Sequence, residues 1–292
     1  MNIKKHIYII LGIIVFNFFC FDKCFSNEFI NQPLLETLTK VEHSSWREKD
    51  IVIRKIQSSQ IKVLESEKSQ LMEMFEKESK FQDEYVTNLR SQGYSVNEAM
   101  DKFTQEIGWG KYLGYFGNFA TLISSFKDVR AIPSLLRGLQ QYGGAVVPTH
   151  IIALGEEAVK PLMDLIDSKD RTLSTMSFAV LATWVNAPIA SEDYAITKEM
   201  AMKNPTVLER IKTIFLNALH DKNIDVRSSA VYGLKAFPED MVLRELEEVA
   251  KNDPYSFYST YEKKMTYPIR EDATKSIKKI KEKMKIKIPQ EN

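Results

Sequence analysis

The feature that most constrains the fold is an internal repeat in the second half of the chain. Residues 128–136 resemble residues 157–163, and the equivalent residues Ala131 and Ala158 lie 27 positions apart. A stronger match joins residues 225–234 to residues 268–277, where Val-Arg-x-x-Ala in the first copy corresponds to Ile-Arg-x-x-Ala in the second. Similarity at a period of 20–50 residues indicates stacked helix pairs, because each pair has an apolar stripe that only its neighbour can cover.

Two segments, residues 188–205 and residues 255–267, interrupt this repeat. Leu181, Leu234 and Ile277 occupy equivalent positions, but their intervals are 53 and 43 residues. Leaving out the two segments brings both intervals close to a common unit of roughly 30–35 residues. We therefore predict two insertions. The first is expected inside a helix pair and the second between pairs, which would place them on opposite edges of the stack.

The repeated residues resemble a known family. The pattern Asp-Val-Arg-x-x-Ala-x-x-x-Leu at residues 225–234, together with Ala-(Ile/Val)-x-x-Leu at residues 131–135 and 158–162, is similar to HEAT repeats, particularly the short type first described in phycobilisome lyases. The resemblance covers about residues 112–285. It implies an all-α fold, a HEAT-like alpha solenoid; the residues before it separately predict that a long N-terminal helix precedes the solenoid.

The resemblance also implies a structural role for two arginines. Arg227 and Arg270 lie at equivalent places near the starts of their helices, close to Asp225 and Asp272. In HEAT repeats such Asp and Arg residues bridge neighbouring repeats. We therefore expect these residues to stabilise the stack.

Residues 27–108 are predicted to form a helical segment that precedes the solenoid, which is assigned to residues 109–287. Ser45 and Glu48, and again Ser95 and Glu98, have the spacing of a capping box, in which each side chain satisfies a backbone N–H at a helix start. We predict one helix from Trp46 to Gly93, about 65 Å long at 1.5 Å per residue.

Residues 108–126 are glycine-rich, aromatic and almost free of charge. A phosphate-binding loop is excluded, because Tyr112 follows Gly110 and Lys111 where a Ser or Thr would have to bind magnesium. The sequence instead predicts a buried helix whose small residues permit close contact with other helices.

Residues 1–26 have the features of a secretory signal peptide. Lys4 and Lys5 precede an apolar run of about 15 residues, shorter than the ~20 needed to span a bilayer, and Ser26 offers a small residue at the cleavage position. We therefore predict an exported protein, periplasmic or secreted, cleaved after Ser26. An uncleaved N-terminal anchor is the alternative. Both cysteines, Cys20 and Cys24, would leave with this segment, so neither disulfides nor thiolate sites are expected.

The sequence contains no recognisable catalytic constellation. Outside the leader the histidines are His43, His150 and His220, which are isolated from one another, so we expect no metal and no cofactor. No Gly-x-Ser-x-Gly elbow of a hydrolase is present. With 40 basic against 39 acidic residues, the balance also argues against a nucleic-acid partner. An enzyme of unrecognised type stays a minor alternative.

Two surfaces are candidates for partner binding. The first lies in the second insertion, where aromatic rings crowd together near Lys263 and Lys264; these rings are Tyr255, Phe257, Tyr258, Tyr261 and Tyr267. Tyrosine is favoured at interfaces because it combines apolar area with a polar tip. The alternative is a loop that folds back on its own repeat and buries the rings.

The second surface is a lysine-rich C-terminal helix followed by a tail, residues 288–292. Its basic residues are Lys275, Lys278, Lys279, Lys281, Lys283 and Lys285, with Lys287 at its end. Either they solvate the closing helix of a solenoid, or they attract an anionic membrane surface.

The sequence therefore predicts a non-catalytic exported scaffold that mediates protein–protein interaction in the cell envelope. A peripheral membrane-surface adaptor, held by the lysine-rich helix or by an uncleaved leader, is the alternative.

Overall fold

The computed structural model describes residues 45–58, 63–142, 146–190, 198–261 and 263–287. The predicted signal peptide with its cleavage site, and the tail at residues 288–292, lie outside these ranges. No helix inside them combines the length and the apolar character that a membrane span requires.

The described residues are mostly helical, in agreement with the predicted all-α class. The first helices are α1 (Trp46–Gln57), α2 (Glu65–Ser91), α3 (Val96–Phe103) and α4 (Trp109–Ser125), with a π-helical turn (Thr104–Gly108) before α4. The following helices are α5 (Ile132–Tyr142), α6 (Val146–Ile152), α7 (Val159–Ile166), α8 (Arg171–Val185), α9 (Ala187–Ala190), α10 (Pro205–Ala218), α11 (Ile224–Leu234), α12 (Asp240–Asn252) and α13 (Pro268–Lys287). The short strands β1 (Phe257–Ser259) and β2 (Lys264–Thr266) lie between α12 and α13 in the chain.

The long N-terminal helix predicted from Trp46 to Gly93 is interrupted, which corrects the sequence-based expectation. Ser58 ends α1, and its hydroxyl donates a hydrogen bond to the carbonyl of Lys55 (2.9 Å). Leu64 is extended, and its N–H donates to the carboxylate of Glu67 (2.6 Å), which starts α2. The glutamate therefore caps a new helix without the Ser or Thr that marks a capping box in a sequence.

Both predicted capping boxes are confirmed. The N–H of Ser45 donates to Glu48 (2.9 Å), and the N–H of Ser95 donates to Glu98 (2.8 Å). Gly93 follows α2 with φ 96°, a conformation that glycine adopts without steric cost, so it stops the helix as predicted.

The described residues form two compact units. The first contains the described residues up to Phe75 and Tyr85–Leu122, and the second contains Glu76–Glu84 and the described residues from Ile123 onward. This division differs from the boundary at 108/109 expected from the sequence, because most of α4 belongs to the first unit.

Aromatic packing explains why α4 belongs there. Tyr112, Tyr115 and Phe116 recur at helical spacing on one face, and all three are buried. The Trp46 ring lies 5.1 Å from the Tyr112 ring, and the Phe75 ring lies 4.8 Å from the Phe116 ring. The predicted helix is thus present, and this aromatic face of it is buried. Gly114 is exposed, so this glycine does not serve a close contact between helices.

The second unit is built from neighbouring helices that pack in pairs. Helix α7 packs on α8, α10 on α11, and α12 on α13. In addition α8 contacts α11, and α11 contacts α13. The repeated positions Ala230 and Ala273 are fully buried, and Val226 and Ile269 are nearly so, because the same motif faces the same kind of neighbour in both copies.

The two insertions lie at the opposite kinds of connection from those expected. The sequence predicted residues 188–205 within a helix pair and residues 255–267 between pairs, and the structure shows the reverse. Residues 255–267 join α12 to α13, which pack on each other, so this insertion lies within a pair. Residues 188–205 lead from α8 toward α10, so this insertion lies between pairs. Repeat spacing measures the length of a unit but does not show which two helices pack on each other. For this reason the predicted positions of the two insertions relative to the helix pairs were wrong.

Candidate functional site

The aromatic segment contains a β-hairpin. Strands β1 and β2 pair antiparallel, with Tyr258 opposite Met265 and Ser259 opposite Lys264. Directly opposite residues in such a ladder lie on the same face, so Tyr258 and Met265 form an apolar cross-strand pair. Lys263 has φ 53° in the connecting turn, the left-handed conformation that lets the chain reverse.

The apolar side chains of this hairpin are exposed. Tyr261 at the turn is 95% exposed, Tyr258 is 58% exposed and Phe257 is 45% exposed. Met265, a residue that the sequence analysis did not single out, is 46% exposed. The alternative in which the loop buries its rings is therefore excluded for these three aromatic residues. Alternation along β2 would have identified Met265 if the hairpin had been recognised.

The other two predicted aromatic residues have a different environment. Tyr255 and Tyr267 flank the hairpin and are half-buried. The guanidinium of Arg270 lies 4.5 Å from the centre of the Tyr267 ring, a cation–π geometry. The five predicted rings thus divide into three at the exposed hairpin and two beside its base.

A buried carboxylate anchors the base of the hairpin. Asp253, immediately after α12, accepts hydrogen bonds from Arg227 Nε (2.7 Å) and Arg227 Nη2 (3.3 Å). It also accepts from the N–H of Tyr255 (2.9 Å), and its carbonyl accepts from Arg270 Nε (2.7 Å). Both repeat arginines therefore converge on Asp253 and fix the point where the aromatic segment begins.

In the contacts described above, Arg227 and Arg270 bind an acceptor residue that lies outside the repeated motif. Asp225 is exposed near the start of α11, and Asp272 pairs with Lys275 on its own helix (2.9 Å). The carboxylate that Arg227 contacts belongs to Asp253, which lies outside the repeated motif. Sequence comparison between repeats could not find it for that reason.

The lysine-rich helix is partly neutralised by carboxylates of the same chain. Lys275 pairs with Asp272 (2.9 Å), Lys279 with Glu282 (3.2 Å) and Lys281 with Glu247 (2.9 Å). The hydrogen bond from Asp272 raises the pKa of the Lys275 ammonium above its ordinary value. The six lysines also have different positions: Lys283 donates to the carbonyl of Lys235 (3.0 Å), whereas Lys278 and Lys285 are exposed.

A groove of about 510 Å³ runs across α8, α11 and α13. Small side chains form part of its lining, namely Ala179 and Ala182 from α8 and Ser228 and Ser229 from α11. Charged and aromatic side chains also line it, namely Tyr232 from α11, Lys235 directly after that helix, and Asp272, Lys275 and Lys279 from α13. We call this feature the helical groove. Its lining comes from positions far apart in the chain, so no local motif could reveal it.

The described ranges contain no group of three or more His, Cys, Asp or Glu residues placed to hold a metal ion. His43 lies outside those ranges, and His220 is exposed. His150, in α6, is half-buried, and its Nδ1 lies 3.4 Å from the hydroxyl oxygen of Ser124.

Burial of His150 makes the stability of the protein depend on pH. Desolvation lowers the pKa of its imidazole below the ordinary 6.5, so the unfolded chain binds a proton more readily than the folded one. The contribution of His150 should therefore be complete above about pH 6.5. It should fall as the pH decreases toward the folded pKa, by at most about 1.4 kcal/mol per pH unit.

Urea unfolding at about pH 7.5 and about pH 5.5 measures this loss. The His150→Gln variant should lose less stability between the two pH values than the wild type. Equal losses in both proteins would contradict the assignment.

In comparisons with known proteins, no protein-family model, no curated protein and no solved structure matches this chain.

Proposed function

We propose that this protein is a non-catalytic, exported HEAT-like scaffold that binds another protein in the cell envelope. Export rests on the signal peptide predicted for residues 1–26. The solenoid is supported by the repeated motif and by the order of the helices: pairs α7/α8, α10/α11 and α12/α13 follow one another, and α8, α11 and α13 are successive neighbours. This is the contact pattern expected when each pair covers the apolar stripe of the previous one.

The observation that carries the proposal is the exposed aromatic hairpin. Tyr258, Tyr261 and Met265 expose large apolar side chains in one short segment, whereas the other large side chains of the described second unit are mostly buried. Rigid aromatic side chains provide contact area at low entropic cost, which is why they concentrate in binding hot spots. The anchor at Asp253 limits how much order must be gained on binding.

In-cell crosslinking followed by mass spectrometry tests this function. The variant Tyr258→Ser/Tyr261→Ser/Met265→Ser removes the apolar area of the hairpin and leaves the anchor intact. We expect the crosslinked yield of at least one partner protein to fall about tenfold or more, because hot-spot truncations typically cost more than ~1.4 kcal/mol.

The matched control is Met241→Ser, which removes an exposed methionine (43% exposed) from α12, outside the hairpin. Its list of crosslinked proteins should equal that of the wild type. An unchanged list for the hairpin variant would contradict the proposal.

The membrane-surface adaptor is less favoured, because three lysines of α13 already pair with carboxylates of the chain. Cosedimentation with anionic phospholipid vesicles separates the two functions. Binding that disappears at about 0.5 M salt, combined with unchanged crosslinks, would favour the adaptor, since screening then acts within a few ångströms.

A further inference from the structure

We propose that the helical groove binds an acidic peptide segment of a partner protein. The inference rests on the proposed function only in requiring that the partner is a protein. It assigns the recognition chemistry to a second site, whose lining residues are not those of the hairpin.

The groove has the volume of a ligand site. Its volume of about 510 Å³ lies within the ~300–1,000 Å³ typical of binding clefts. Ala179, Ala182 and Ser228 are too short to fill it, so a ligand can approach the helix backbones. The neighbouring axes of three packed helices span roughly 16–20 Å, enough for about five or six extended residues.

The charge of the lining favours a negatively charged occupant. Lys235, Lys275 and Lys279 line the groove, and Asp272 is the carboxylate among its lining residues. The chain as a whole is balanced, with 40 basic and 39 acidic residues, so this excess is local. Lys235 Nζ lies 4.0 Å from the centre of the Tyr232 ring, which positions its ammonium at the groove.

The existing ion pairs do not prevent binding. Lys275–Asp272 and Lys279–Glu282 are pairs three residues apart whose side chains are about half exposed or more. Exposed pairs of this kind contribute little to stability, so the ammonium groups can donate hydrogen bonds to carboxylates of a ligand instead. Such contacts gain strength inside a cleft, where water is partly excluded.

Unused hydroxyl groups point to a peptide. In the part of the chain that the structure describes, Ser228 and Ser229 line the groove and neither hydroxyl has a hydrogen-bond partner. Hydroxyl groups both donate and accept, so they suit the alternating N–H and C=O groups of a peptide backbone. A site that spans three helices and carries cationic side chains and two adjacent hydroxyl groups therefore fits an acidic peptide better than a single small anion.

Fluorescence anisotropy with the purified full chain tests the proposal. The probe is a fluorescein-labelled hexaglutamate peptide at about 0.05 M salt, where screening is weak. We expect saturable binding that Lys275→Gln/Lys279→Gln weakens about tenfold or more. The variant Ser228→Leu/Ser229→Leu keeps every charge but fills the groove, and it should weaken binding similarly.

The matched control is Lys278→Gln/Lys285→Gln, which removes two charges from the same helix outside the groove. It should bind the probe as the wild type does, and circular dichroism should show that all variants are folded. Equal weakening in the control would mean attraction by general charge and would overturn the site. Absence of binding to the wild type would overturn it as well.

A labelled oligothymidylate of ten nucleotides, tested in the same way, examines whether the groove prefers a nucleic acid to an acidic peptide. Binding to the groove tighter than that of hexaglutamate would replace the peptide assignment by a nucleic-acid one. This experiment needs no native partner, so its failure leaves the hairpin function intact. Conversely, unchanged crosslinks of the hairpin variant would contradict the hairpin function but would not affect the measured binding of the peptide to the groove.

Discussion

Replacing Asp253 by alanine should lower the free energy of unfolding by about 3–5 kcal/mol. The Asp253 side chain is 2% exposed and that of Arg227 is 10% exposed, so the pair is almost fully removed from water. Truncation of Asp253 would leave the guanidinium buried, and within the described residues its remaining acceptors would be the carbonyls of Asp221 (2.8 Å) and Lys222 (3.3 Å). An uncompensated buried charge is the main cause of the expected loss.

Urea denaturation at neutral pH measures the change, and Asp272→Ala is the matched control. Asp272 also pairs with a cation, Lys275, but their side chains are 48% and 73% exposed, so its removal should cost less than about 1 kcal/mol. The double variant Arg227→Met/Asp253→Leu should be more stable than Asp253→Ala, because it leaves no buried charge. Equal costs for Asp253→Ala and Asp272→Ala would show that burial does not set the strength of this anchor.

The two arginines that meet at Asp253 act on different parts of it. Arg227 binds the carboxylate, whereas Arg270 donates to the main-chain carbonyl. Asp253→Ala therefore removes the link to α11 and to the Tyr255 amide but retains the one to α13. The base of the hairpin should loosen without detaching from α13. The stability of the second unit is thereby connected to the order of the proposed binding surface.

The features that could be predicted from the sequence depend on neighbours within a few residues. The pairs Ser45/Glu48 and Ser95/Glu98 cap helices because both partners lie within one turn. Gly93 stops α2 through its own conformational freedom. The all-α class likewise follows from local composition and periodicity.

The features that could not be predicted depend on contacts between distant segments. Asp253 lies outside the repeated motif, and nothing in its local sequence indicates that Arg227 and Arg270 will converge on it. The break before α2 depends on a glutamate that bonds to the main chain of Leu64, a pattern too common to mark a helix start. The helical groove combines three helices, so only their packing could reveal it.

The five aromatic residues of the second insertion illustrate both cases. Their composition indicated an interaction surface, and the exposure of Tyr258 and Tyr261 fits that interpretation. Composition could not show that Tyr267 would stack on Arg270 beside the base, because that contact follows from the geometry at the start of α13.

Replacing Gly233 by alanine should destabilise the protein, although alanine favours helix over glycine by about 1 kcal/mol. A Cβ atom at this position of α11 would come within 2.6 Å of several atoms of the Phe215 ring on α10. Phe215 is fully buried, so its ring cannot turn toward solvent to make room. Overpacking of this kind typically costs about 1–3 kcal/mol, and here it must exceed the gain in helix propensity.

Gly114→Ala in α4 is the matched control, because it makes the same change in another helix. Apart from the adjoining residues and backbone of the same helix, no atom lies within 4 Å of a Cβ built at Gly114, so the substitution should raise stability by about 0.5–1 kcal/mol. Thermal unfolding of both variants should therefore give midpoint shifts of opposite sign. Stabilisation by Gly233→Ala would contradict the close packing of α10 on α11.

A second substitution locates the clash. Phe215→Leu removes the ring, so Gly233→Ala should cost less in that background than in the wild type, and a double-mutant cycle measures the difference. The equivalent position in the next copy is Ser276, which is also small and buried and donates a hydrogen bond to the carbonyl of Val231 (3.3 Å). A small residue recurs at this point because a neighbouring helix lies close to it in both copies. The cycle tests whether this close approach, rather than backbone flexibility, requires glycine in α11.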